Sequence, residues 1–124
     1  MTEVLGVIAD LMSQLGLNYE FGRCSQSPPT YPYWVGDYTE SENATEDGKR
    51  EATVMLTGFA RNTLLQMERE KAALAAYFLH GVTMLTKRNT AIAIFYTGAQ
   101  NLPTEDAELR KTQVNLTVKF WKGK

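Results

Sequence analysis

Cysteine and histidine are almost missing from this sequence: Cys24 and His80 are the single representative of each. One cysteine excludes an intrachain disulfide and points to a reducing compartment. The two residues together are too few for a zinc-type ligand set. No apolar run approaches the ~20 residues needed to span a bilayer. There is no glycine-rich phosphate cradle of the Walker or dinucleotide kind, no internal repeat and no low-complexity tract. Thr2 and Glu3 stand where a signal peptide needs basic residues, and Asp10 interrupts the apolar stretch, so the expectation is a soluble protein made in a cytoplasm. Neither charge sign is in excess: 13 Lys and Arg against 14 Asp and Glu leave a net charge of -1, and no global field draws nucleic acid or membrane. What remains is 124 residues, 44% hydrophobic, which reads as one domain over 1–124 able to bury a core without metal or disulfide.

Val4, Leu5, Ile8, Leu11, Met12 and Leu15 recur at helical spacing, predicting a first helix over about residues 3–15, with Thr2 as its cap and Gly16 as its left-handed end. A short strand is expected around Asn18–Phe21, then a proline-bearing loop over 25–32. Thr63 with Gln66 has the capping-box pattern, and a second helix is expected over about 64–79, closed by His80-Gly81. Leu64, Met67, Lys71, Leu74 and Phe78 share one of its faces. Thr90–Tyr96 reads as a strand and Asn101–Asp106 as a loop, leaving roughly 15 residues between the last two strands. Thr112–Trp121 alternates, with Val114, Leu116, Val118 and Phe120 on one side and Gln113, Asn115, Thr117, Lys119 and Trp121 on the other.

The longest feature runs from Tyr33 to Arg61: two strand-like runs flank Glu46-Asp47-Gly48, whose Asp-Gly suits the positive φ of a tight turn. A long β-hairpin follows. With two helices it implies an α+β fold, an antiparallel four-to-five-stranded sheet with the helices packed on one face.

Catalytic chemistry is poorly represented. Cys24 and His80 could form a dyad, but nothing local activates Cys24, and most single cysteines are packing residues. Glu40, Glu42, Glu46 and Asp47 lack the spacing of a calcium loop. Asn43-Ala44-Thr45 and Asn115-Leu116-Thr117 are chance matches to the glycosylation triplet in a chain read as cytoplasmic. Charge is nevertheless segregated: Asp37 to Gly48 carries only negative side chains, Arg110 to Lys124 only positive ones. Ordinary solvation accounts for such runs as readily as recognition does. If they recognise each other, an acidic hairpin meets a neighbour's basic strand head to tail. Trp34 and Tyr38 share one face of their strand, Tyr33 and Val35 the other; one face is core, and aromatics on a second covered face mark an interface. The candidate contact residues are therefore Trp34, Tyr38, Glu40, Glu42, Glu46, Asp47, Arg110, Lys111, Lys119 and Trp121.

The run Tyr33-Trp34-Val35-Gly36-Asp37-Tyr38-Thr39-Glu40, the Glu46-Asp47-Gly48 turn, the Leu56-Thr57-Gly58-Phe59-Ala60-Arg61 exit and the late run Asp106–Leu116 resemble prophage-encoded tail-completion proteins of Gram-positive bacteria. The order of elements is similar to the tail-terminator family of long-tailed phages. The resemblance covers nearly the whole chain and rests on structural patterns. It implies a small α+β protein, without cofactor or catalysis, that forms a hexameric ring, caps the tail tube, ends its polymerisation and joins tail to head. Its partners would be copies of itself, the tube protein and a head–tail connector protein, in the host cytoplasm and then in the virion tail. Residues 33–61 and 102–112 are the contact regions it implies. A neck or head-closure protein of the same virion, and a small α+β enzyme or ligand-binding domain, stay open as alternatives.

Overall fold

Strict alternation in the longest strands sets the architecture, because every second side chain must find a covered face. The computed structural model describes residues 1–40 and 49–122. In chain order the elements are α1 (Thr2–Gln14), β1 (Tyr19–Phe21), β2 (Tyr33–Glu40), β3 (Lys49–Arg61), α2 (Leu64–Phe78), β4 (Val82–Leu85), β5 (Thr90–Leu102) and β6 (Leu109–Lys122). The fold is α+β. Its sheet is six-stranded and mixed, in the order β1-β2-β3-β6-β5-β4, where four or five antiparallel strands are expected from the sequence. Two short edge strands make the difference: β1 pairs parallel to β2, and β4 pairs antiparallel to β5.

Trp34, Val54, Leu56, Ile92, Ile94, Val114, Leu116 and Val118 point to one face and are buried there. Val4, Ile8, Leu11 and Met12 of α1 and Met67, Leu74 and Phe78 of α2 close over them, forming one core. Both helices end as their glycines dictate. Gly16 (φ 75°) and Gly81 (φ 79°) take the left-handed conformation, and the Gly81 N–H donates to the Phe78 carbonyl at 3.0 Å. The expected caps do not form. The N-cap of α1 is Met1 rather than Thr2, and Thr63 caps α2 without a side-chain hydrogen bond, its Oγ1 buried and unpartnered.

The last two strands are also closer than the sequence suggests. β5 runs on past a bulge at Tyr96/Gly98 to Leu102, so only residues 103–108 connect it to β6. The proline-bearing loop is tied down: the Asn18 side-chain amide donates to Gln26 Oε1 (3.1 Å) and to the Thr30 carbonyl (2.9 Å), and the Ser25 hydroxyl to Glu20 Oε1 (2.8 Å). Residues 33–40 and 49–61 form the long antiparallel hairpin arms, paired from Tyr33–Phe59 to Glu40–Ala52. The expected turn at Glu46-Asp47-Gly48 lies outside the described residues.

Candidate interaction surface

Alternation leaves the other face of the sheet without a helix. It presents Tyr33, Val35 and Asp37 from β2; Glu51, Thr53, Met55, Thr57, Phe59 and Arg61 from β3; and Lys111, Gln113, Asn115, Thr117, Lys119 and Trp121 from β6. The sheet curls, so that Arg23 and Cys24 beyond β1 and Leu102 at the end of β5 border the same hollow across the three strands between them. The hollow measures about 430 Å³. Its floor is an aromatic pair: Tyr33 and Phe59 stack at 4.8 Å and 19°, and Lys111 Nζ lies 5.5 Å from the centre of the Phe59 ring. Tyr31 extends the row, 5.4 Å from Tyr33.

The two ends of this face differ electrostatically. Towards the hairpin tip, Glu51 sits between Lys49 (3.7 Å) and Lys119 (3.8 Å), and Lys119 Nζ lies 5.9 Å from the centre of the Phe95 ring. At the other end Arg61 hydrogen-bonds Asp106, pairs with Glu108 at 3.6 Å and lies 5.8 Å over the Tyr31 ring. The Asp106 hydrogen bond, followed by one to Tyr31, raises the already high pKa of the Arg61 guanidinium. The same bond, with one from the Glu108 N–H, holds the Asp106 carboxyl below its ordinary value. This clip fastens the 103–108 connection to the end of β3. Burial raises the Tyr33 phenol, with smaller contributions from Tyr31 and Cys24. On the helix-covered face, burial pushes Tyr19 up to about 12, and its hydroxyl has no hydrogen-bond partner among the described residues.

The expected contact residues do not form one surface. Trp34 is a correction: it is 0% exposed, lies on the helix-covered face and donates its indole N–H to Glu70 at 2.8 Å, so it belongs to the core. Tyr38 shares that face, half-buried against the core. Glu40 is exposed at the end of β2, and Arg110 is exposed near the start of α2, beside a second hollow bordered by Leu64, Met67 and Glu68. Lys111, Lys119 and Trp121 do share the uncovered face. Lys119 is engaged by Glu51 of its own chain, and Lys111 lies at the end of β6 far from the hairpin tip. Glu42, Glu46 and Asp47 lie outside the described residues.

Phe59 and Phe95 complete the surface and are missing from the expected set. Reading β3 in twos from Leu56 puts Phe59 on the uncovered side, which was the available signal. Cys24 and His80 are not brought together: one follows β1, the other precedes β4, at opposite edges of the sheet. Among the described residues no group of three or more His, Cys, Asp and Glu is placed to hold a metal ion, and no helix is long and apolar enough to cross a membrane. Compared with known proteins, the chain matches no family model and no curated sequence.

Proposed function

We propose that this chain is a structural assembly protein of a long-tailed phage: it joins copies of itself into a hexameric ring, caps the tail tube, ends tube polymerisation and joins tail to head. The observation that carries the reading is the helix-free sheet face. It holds Tyr33, Val35, Met55, Phe59, Phe95 and Trp121 among threonines, amides and paired charges, and it runs the full length of the hairpin arms. Aromatics set in a polar surround are what a recognition surface uses to combine buried area with specificity. The tube protein and a head–tail connector protein are the partners this reading requires, in the host cytoplasm during assembly and in the virion tail afterwards.

A small-ligand-binding domain is the second reading, and the hollow over Tyr33 and Phe59 favours it, since its volume falls in the range of ligand sites. Its floor continues into the open strand surface on both sides, which suits a docking partner better than an enclosed molecule.

Deleting the gene from the phage genome that encodes it tests the reading by electron microscopy of the lysate. Overlong, headless tubes are expected. Normal-length tails without heads would move the role to the neck, and intact virions would overturn both.

A further inference from the structure

Edge strands are normally guarded by charge, by proline or by a covering element. The two edges of this sheet differ in that respect. On one side β1 covers β2 over Trp34–Gly36, and the part of β2 left open carries exposed Asp37 and Glu40. On the other side β4 covers β5 over Ala91–Ile94, and the chain entering β4 lies against the Phe95 ring at Gly81. Past the bulge at Tyr96/Gly98, the stretch Gly98-Ala99-Gln100-Asn101-Leu102 has no strand beside it among the described residues, no charge and no proline. It stays in regular register with β6, so its outward N–H and C=O groups form a template for another strand.

Exposed leucines stand above this stretch. α2 turns one flank towards β2, where Glu70 accepts the hydrogen bond of the Trp34 indole. It turns the other towards β5, where Leu64 and Glu68 border a hollow with Asn101. Leu64 on that flank is 47% exposed, and Leu65 next to it 67%, although the core-facing side of the helix is already buried.

We propose that two copies of this chain join through this stretch of β5, antiparallel about a two-fold axis at Gln100, so that their sheets run on as one. A two-fold contact pairs two copies and stops there, so the inference goes beyond the proposed ring, which needs a further and different contact. Polarity and register permit the pairing. A strand that meets its own copy across an axis normal to the sheet is antiparallel, the better-bonded arrangement. With Gln100 opposite Gln100, Ala99 meets Asn101 and Gly98 meets Leu102. Ile94, beside which β4 begins, stands six residues before Gln100, so the partner's Ile94 lies level with residue 106, past the end of β5. At that level the Arg61–Asp106 hydrogen bond draws the 103–108 connection towards β3, away from the edge. Each copy's β4 thus clears the other's β5.

The chemistry of the stretch suits a second copy. No residue in it repels its own counterpart across the axis, because none is charged. Gln100 already accompanies Gln113, whose Oε1 accepts from the Gln100 side-chain amide at 3.1 Å. The partner's Gln100 continues that row into an amide ladder running from one copy's Gln113 to the other's. An axis normal to the sheet keeps both copies of α2 on the same face. Leu64, which borders Asn101 one residue from the axis, therefore comes to flank the joint from both sides, with Leu65 beside it.

Light scattering across a concentration series tests the joint on wild type, on Q100K, on Q100E and on an equal mixture of the two variants. Wild type is expected to pair. Each variant alone should pair about tenfold more weakly or worse, because like charges meet at the axis. The mixture should recover wild-type association, because opposite charges then meet, and recovery on mixing is the signature of a residue that faces its own copy. Gln100 is exposed, so thermal melts of both variants should match wild type. Variants that associate as wild type does, or a mixture as weak as its components, would overturn the joint and leave other self-assembly standing. A single-chain mass of wild type at every concentration would overturn it too, while tail capping is judged separately by the deletion phenotype.

Discussion

The two faces of this sheet are made by the same strands, residue by residue in alternation, yet their surroundings differ. On one, Val54, Leu56, Val114, Leu116 and Val118 are fully enclosed by α1 and α2. On the other, Thr53, Met55, Thr57, Asn115 and Thr117 interleave with them, half-buried and uncovered by any helix. A substitution on the first face acts on folding. One on the second leaves the fold nearly untouched and acts on whatever covers it. On the reading proposed above, stability and recognition share every strand without sharing a side chain.

The sharpest break of this comparison comes from neighbours on β6. Leu116→Ala empties an enclosed site and should cost about 2–5 kcal/mol in a denaturant titration. Thr117→Ala, one residue on, should change stability by about 0.5 kcal/mol or less. Next in size is Trp34→Phe. It removes the indole donor to the Glu70 carboxylate and should cost about 1.5–3 kcal/mol, the range for hydrogen bonds to charged groups. Gly58→Ala should cost about 1–3 kcal/mol by overpacking, because a Cβ there would lie 2.8 Å from Trp34 Cζ3 and 2.9 Å from Met67 Cε.

Tyr19→Phe runs the other way. Its hydroxyl is buried without a partner, so its removal should be neutral or stabilising by about 1 kcal/mol. The sign in alkali follows from the raised pKa. The folded state favours the neutral phenol, so that contribution is complete below the ordinary tyrosine range and is lost as pH rises towards about 12. Melts of Tyr19→Phe should lack this alkaline decline. The smallest effect belongs to the Arg61–Asp106 clip. Asp106 is held below its ordinary pKa, so its contribution is present at neutral pH and fades as pH falls through the carboxylate range. Asp106→Asn should lower the melting temperature slightly at neutral pH and converge with wild type in acid, which flattens the acid side of its profile.

Much of the covered face was legible. The helical stripe of α1, the glycines ending both helices and the alternation of β6 each follow from local rules; the helices lie within a residue or two of their expected places, and β6 begins three residues before the expected Thr112. What escaped had physical reasons. β4 is only four residues long, so the run after Gly81 is too short to carry a clear periodicity. β5 passes through polar Thr97-Gly98-Ala99-Gln100-Asn101, which reads as loop until pairing with β6 holds it extended. Alternation showed that Trp34 and Tyr38 share a face but could not say which face the helices would cover, and this misassigned Trp34. The charge pairing expected between hairpin and C-terminal strand missed Glu51, whose place beside Lys49 and Lys119 depends on cross-strand register. That β1 and β4 cover only parts of β2 and β5 is not visible in sequence either, because it arises from the pairing of strands of unequal length.

The most direct test of the central claim, that the chain assembles with copies of itself, is the molar mass of the purified chain in solution over a wide concentration range. The account predicts a mass that rises with concentration towards a closed ring. A single-chain mass throughout, unmoved by concentration, would contradict it.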